Sequence, residues 1–384
     1  MAVQPSVLTW ARTSAGLSVE QAAKRLSVQP ARVYEWEHGE LEPTIVQLRK
    51  AAEAYNRPFA ALFLEEPPAQ EEVVDLPDFR RPSVAAEGES APLRRAILRA
   101  RRQQEALEEV ADEGSDVDLP PTSLIELDPD ESVAKSGKKL RQGLGLDQIP
   151  RRVLLNPEEL LRTLVRTVEQ HGYLVIQTQH VSMDEMRGFS LADGSAPVIA
   201  LNGADWPRGK VFTLLHEMVH IGVRHSGLCD LNRESPSPEE RYCDAVAAAA
   251  LMPAALFREA AVGVDPMKLS QLAALANDFG ASAEAGLLRL VELGLASWDQ
   301  YKEMKPHFRE AYLTFKSDEK ARSSEKEAPL FYQLKARDLG RPFIRTVLRA
   351  HDDGVISSRD VTQLLEVSYD KVRKLAAASG AVMR

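Results

Sequence analysis

The sequence predicts a mainly α protein with one small α+β segment in its middle and an all-α unit at its N-terminus. Apolar residues recur at helical spacing over most of the chain, while β-branched and aromatic runs bounded by turn residues sit within residues 150–203. From Glu65 the composition shifts to proline and acid, which separates the N-terminal unit from the rest. With 384 residues, two or three compact units are expected rather than one core.

Residues 1–67 form the first expected domain. "SVEQAAKRLS" opens on a good N-cap, Ser18, and carries Val19, Ala22, Ala23 and Leu26 at helical spacing. "VQPARVYEWEHG" follows a tight turn and stops at Gly39, and "PTIVQLRKAAEAYN" lines up Ile45, Leu48, Ala51, Ala52 and Tyr55. With "GLSVEQAAKRLSV", "VYEWEHGELEPT" and "LRKAAEAYNRP", these segments resemble the helix-turn-helix domain of the Xre/Cro repressors, most specifically at Trp36 to Pro43. The resemblance implies DNA binding, with Gln29 and Arg32 offered to bases, and a homodimer. The charges pull the other way. Residues 1–67 hold seven Lys or Arg against eight Asp or Glu, and Glu35 and Glu37 would repel phosphates. Partner docking is therefore the competing use of this fold.

Residues 68–149 read as a linker and an Arg-rich helix. "EEPPAQEEVVDLPDFRRPS" is extended in character, and "APLRRAILRARRQQEALEEVADEG" has Arg94, Arg95, Arg99, Arg101 and Arg102 early and five acids late. A solvated helix face with local ion pairs is expected there, with bracing of DNA as the alternative. Residues 150–262 are the α+β segment. "NPEELLRTLVRTVEQHG" is helical, "YLVIQTQ" is a strand, and "RGFSLADGSAPVIALNG" is a hairpin turning at Asp193-Gly194. After Pro253 the pattern is helical: an extension over 263–316, a charged tether over 317–328, and a C-terminal region over 329–384. Two stretches, 269–294 and 356–378, each read as helix, short turn, helix.

Bulk properties exclude several classes. A formal net charge of −9 provides no general attraction to nucleic acid, so any contact must be local. No apolar run reaches the roughly 18 residues of a membrane helix, and no membrane association is expected. The N-terminal residues lack a secretory signal pattern. Two cysteines, Cys229 and Cys243, cannot build a disulfide framework, in keeping with a cytoplasmic protein.

The chemistry centres on "FTLLHEMVHIG". His216 and His220 lie four residues apart on one helix face, where both imidazoles can reach one ion at roughly 2.0–2.1 Å. Glu217 sits one position round, placed to hold a water rather than the metal, which makes it the candidate general base. A third ligand must come from elsewhere. His225 lies nine residues after His216, one short of the metzincin spacing. "SPSPEERYCDAVAAAALMP" instead offers Glu240 at the start of an Ala-rich helix, with Glu239 and His225 as competitors. Asp244, one turn on from Glu240, can accept a hydrogen bond from the far ring nitrogen of a ligating histidine.

Together, "PVIALN", "FTLLHEMVH" and "EERYCDAVAAAALMP" are similar to the ImmA/IrrE family of metallopeptidases. Matched residue by residue, the resemblance implies His216, His220 and Glu240 as ligands of one Zn²⁺, Glu217 as catalytic glutamate, and Asp244 behind the ligands. It further implies a zincin-like domain of gluzincin type and a cytoplasmic endopeptidase for a repressor-like regulatory protein. Ala249 and Ala250 are smaller than the Glu and Leu usual there. The segment Ala196–Asn202, leading into the metal helix, is the expected sheet edge for a substrate strand. The competing function is a DNA-binding transcriptional regulator or antitoxin-like protein, whose metal domain senses or scaffolds with little proteolysis.

Overall fold

The computed structural model describes residues 3–55, 57, 59–67, 90–114, 123, 125–194, 196–224, 227–229, 237–325 and 331–381. They fall into two compact units, one of Met1–Leu76 with Pro82–Arg99, the other of Pro77–Arg81 with Ala100–Arg384. Most of the expected linker, residues 68–89, lies outside the described residues.

In the first unit, helices α1 (Pro5–Ser14), α2 (Val19–Leu26), α3 (Pro30–Glu37) and α4 (Ile45–Ala54) enclose a core that includes Leu8, Ala22, Leu26, Val33, Trp36, Leu48 and Tyr55. α2 starts with a full capping box. Ser18 Oγ accepts from the Gln21 amide, and the Gln21 side chain accepts from the Ser18 amide. Glu37 does not face outward as expected. Its carboxylate takes two hydrogen bonds from Arg12, at 2.6 and 2.9 Å, and this nearly buried pair ties α1 to α3.

The long helix α5 (Ala91–Asp112) contributes residues to both units. Its Arg-rich surface is less solvated than expected. In the first unit Leu93 and Ile97 are buried. In the second, Gln103 donates to the Leu339 carbonyl at 2.8 Å, and Gln104 donates to the Ala196 carbonyl at 3.1 Å. The apolar residues between the arginines give the helix an inward stripe, which the count of charges concealed.

The second unit continues with α6 (Val133–Gly143), α7 (Arg151–Leu155) and α8 (Pro157–Gln170). Strands β1 (Leu174–Thr178), β2 (Gly188–Leu191) and β3 (Val198–Asn202) follow, then α9 (Pro207–Gly222), β4 (Gly227–Cys229) and α10 (Pro238–Leu251). The sheet order is β1-β3-β2-β4. β1 runs parallel to β3, and β2 runs antiparallel to both β3 and β4. Hence β3 is interior, not the edge expected of Ala196–Asn202, because the crossover from β1 covers the flank that β2 leaves open. All five residues of β1 and of β3 are buried, as strands covered on both faces must be. The β2–β3 hairpin is present, but β2 ends at Leu191 and β3 starts at Val198, farther apart than a two-residue turn allows, with Gly194 at φ 82°.

α10 is capped by Ser237, whose Oγ accepts from the Glu240 amide at 3.2 Å. It packs on α6, within the segment read from sequence as linker and Arg-rich helix. A Cβ placed on Gly137 of α6 would lie 2.7 Å from the Ala249 Cβ and 3.1 Å from the Ala250 nitrogen. The small residues at 249 and 250 thus let two helix backbones approach closely.

The remaining helices are α11 (Ala254–Ala260), α12 (Leu269–Asn277), α13 (Ala283–Glu292), α14 (Trp298–Glu325), α15 (Phe331–Leu339), α16 (Arg341–Asp352), α17 (Ser358–Leu365) and α18 (Tyr369–Ser379). α14 runs through most of the expected tether. Lys, Glu, Ala and Arg are good helix formers, so a polar run can remain helical with little apolar surface. Among the described residues, no helix is long and apolar enough to cross a membrane.

Candidate metal centre

α9 brings the two histidines to the interior. Asp205 stands before its first turn, where its Oδ1 accepts from the Trp206 amide at 2.8 Å. Burial pushes its carboxyl up from the usual range, against the pull of Arg187 and the Trp206 amide. A Cβ on Gly209 would meet both Asp205 carboxylate oxygens at 2.6 Å, so this N-terminal packing depends on glycine. Val211, Leu214, Leu215, Met218 and Val219 are all buried and fix the rotation of α9 about its axis.

His216, His220 and Glu240 meet in a fully enclosed cluster, their donor atoms all within 4.8 Å of one another. His216 Nε2 is 3.1 Å from His220 Nε2 and 3.2 Å from Glu240 Oε2, and His220 Nε2 is 3.0 Å from Glu240 Oε1. On its other side, His216 Nδ1 is 3.0 Å from Asp244 Oδ1. A carboxylate can only accept, so Nδ1 carries a proton toward Asp244, while Nε2 on the cluster side donates to Glu240 when protonated and offers its lone pair to a cation once that proton is lost. Three electron-rich donor atoms converging in a buried cluster suit a cation between them.

The spacing suits one. Four-coordinate zinc with bonds of roughly 2.0–2.1 Å has ligand–ligand edges of about 3.3 Å. The 3.1 Å between the two Nε2 atoms and the 3.2 and 3.0 Å from them to the two oxygens of Glu240 are close to that edge, with one histidine facing each carboxylate oxygen. Without the metal, the same field holds protons. Burial opposes charge on His216, but the hydrogen bonds to Asp244 and Glu240 outweigh it and raise its pKa well above the usual value. Burial likewise pushes the Glu240 carboxyl up, and the two histidines overcome this to bring it to about 2.

Glu217 is buried on α9 beside these groups. A Cβ on Gly188, the first residue of β2, would stand 2.8 Å from Glu217 Oε1 and 2.5 Å from Thr213 Cγ2. Gly188 therefore makes room for the carboxylate, a role that sequence reasoning missed because the approach joins residues far apart in the chain. Of the competitors for the third ligand, Glu239 is exposed on the first turn of α10, and His225 lies outside the described residues. Arg224 is exposed and pairs with Glu126 at 3.3 Å. Cys243, one turn after Glu240, is buried, and its thiol is pushed up by burial and by the surrounding carboxylates. Gln29 and Arg32 are both exposed at the start of α3, and Arg32 pairs with Glu35 at 3.2 Å.

A small sheet packed against a helix with two inward histidines, completed by a buried glutamate from a following helix, defines a zincin-like domain of metallopeptidase type. The comparisons agree. Residues 168–291 match the Peptidase_M78 family, described as an IrrE N-terminal-like domain, and residues 8–62 match a helix-turn-helix family. The chain thus carries the two domains of the resemblance read from its sequence, in the same order. Among curated proteins, none matches it.

Proposed function

We propose that the protein is a zinc-dependent endopeptidase of gluzincin type, acting on a repressor-like regulatory protein. The carrying observation is the enclosed His216–His220–Glu240 cluster with Glu217 on the same helix. Those three side chains would hold one zinc ion, which polarises a peptide carbonyl and acidifies water. Asp244 fixes the tautomer and ring plane of His216 through the 3.0 Å hydrogen bond. Glu217 takes a proton from the attacking water and returns it to the leaving amine. Gly188 keeps the carboxylate's position clear. A substrate added as a strand would use a sheet edge. β4 is the edge adjoining β2, the strand that touches Glu217, so the substrate is assigned there rather than to Ala196–Asn202.

The helix-turn-helix domain would bring the peptidase to its substrate, through DNA contacts from Gln29 and Arg32 or through the regulator itself. Zinc analysis and co-expression with repressor-type proteins test the reading together. The native chain and Glu217→Gln should both retain zinc, and only the native chain should generate new N-termini in a repressor. The rate in Glu217→Gln should fall by roughly 10²–10⁴-fold. Equal cleavage by both forms would contradict the assignment. An intact regulatory effect in Glu217→Gln would favour the sensor reading.

A further inference from the structure

The two ends of the chain repeat one backbone device. α2 and α17 are each eight residues long, and each starts after a serine, Ser18 or Ser357, that closes a capping box. Each ends on a non-glycine residue in the left-handed conformation, Ser27 at φ 58° and Glu366 at φ 52°. Only four non-glycine residues among those described have positive φ, so the coincidence is informative. A valine follows in each case, Val28 or Val367, and one further residue, Gln29 or Ser368, stands in extended conformation at the N-cap position of the next helix. In that helix the fourth and seventh positions are buried, Val33 and Trp36 in α3, Val372 and Leu375 in α18. α16 packs on both α17 and α18. α16–α18 therefore form a second helix-turn-helix, outside the residues 8–62 that the helix-turn-helix family matches.

The outer faces of the second helices differ in charge. On α3, the lone cation Arg32 is engaged with Glu35. On α18, Lys371, Arg373 and Lys374 are exposed with Asp370 and the half-exposed Tyr369, and Arg359 is exposed at the start of α17. Two acids of this region are occupied elsewhere: Asp360 caps α17, and Glu366 pairs with Lys335. Residues 331–384 hold ten Lys or Arg against six Asp or Glu, in a chain of net charge −9. We propose that α17–α18 is a DNA-binding element, with α18 as the helix presented to the major groove of a duplex and Lys371 and Arg373 contacting phosphates. The second helix of such a pair enters the groove while the first crosses the backbone, and phosphate neutralisation supplies most of the affinity. This proposal is independent of the metal centre.

The test uses the full chain carrying Arg32→Glu, so that the N-terminal face does not mask the result, and a mixed-sequence 30-base-pair duplex as probe. Fluorescence anisotropy across a salt series should show binding. Lys371→Glu with Arg373→Glu should weaken it at least tenfold and flatten the log K against log salt slope by about 2. Lys371→Gln with Arg373→Gln should act in the same direction with a smaller loss, and carries the test if the charge reversal disturbs the fold. Lys302→Glu with Arg309→Glu, an equal charge change on α14, should have little effect. The proposal fails if the parent binds no duplex at low salt, if the α18 variants bind as the parent does, or if the α14 variant loses as much. It fails also if the α18 variants alter only self-association, which would make this face an interface between copies.

Discussion

The metal centre and the outer face of α3 place polar side chains in opposite circumstances. At the centre, His216, His220 and Glu240 are buried, where each unsatisfied polar group would cost several kcal/mol. On α3, Gln29 and Arg32 are in water and cost the fold almost nothing. Enclosure makes the first group's geometry mutually dependent and its chemistry specific. Exposure leaves the second group replaceable without structural consequence, so only function can hold it in place.

Substitutions that crowd or loosen the enclosed centre should have the largest effects. Gly188→Ala forces the Glu217 carboxylate aside, and peptidase activity should drop about 100-fold while zinc is retained. Loss of zinc instead would show that the crowding reaches the ligands. Asp244→Ala should weaken zinc binding by about 10–100-fold, read by competition with a chelator. Unchanged affinity would mean that the 3.0 Å contact to His216 does not tune the site.

Stability against pH should separate the two states of the centre. The raised pKa of His216 in the metal-free protein contributes stability that is present below about pH 6.5 and lost as pH rises through the higher folded value. Glu240, held down to about 2, contributes stability above about pH 4.3 that is lost as pH falls toward 2. On the proposed ligand assignment a bound zinc would replace the His216 proton, so the gap in Tm between zinc-loaded and metal-free protein should widen from pH 6 to pH 9. A constant gap would contradict the ligand assignment.

The N-terminal domain should show the smaller effects. Glu37→Gln leaves the Arg12 guanidinium without its carboxylate and should destabilise the domain by about 1–3 kcal/mol. Arg32→Ala should change stability by no more than about 0.5 kcal/mol, measured by denaturant unfolding. A larger change would give α3's outer face a structural role.

The same contrast governs what the sequence discloses. The HExxH spacing and the capped helix that brings Glu240 are local patterns, and local patterns survive in a linear reading. Strand order is not local. β3 lies inside the sheet because β1, twenty-odd residues upstream, returns beside it, and no pattern within Ala196–Asn202 reveals that. The close approaches at Gly137 and Gly188, and the turning inward of Glu37 to Arg12, are likewise tertiary events. The continuation of α14 past residue 316 escaped for a different reason: a run of Lys, Glu, Ala and Arg has the composition of a tether. The equivalence of α2–α3 and α17–α18 rests on matching caps and a shared left-handed residue, which a few common amino acids encode only weakly.

X-ray absorption at the zinc edge tests the donor set most directly, on the native chain, Glu217→Gln and Glu240→Gln. The proposed assignment predicts one zinc with two imidazole nitrogens and one carboxylate, unchanged protein ligands in Glu217→Gln, and loss of the carboxylate ligand in Glu240→Gln. A sulfur ligand from Cys243, or a ligand set altered by Glu217→Gln but not by Glu240→Gln, would contradict it.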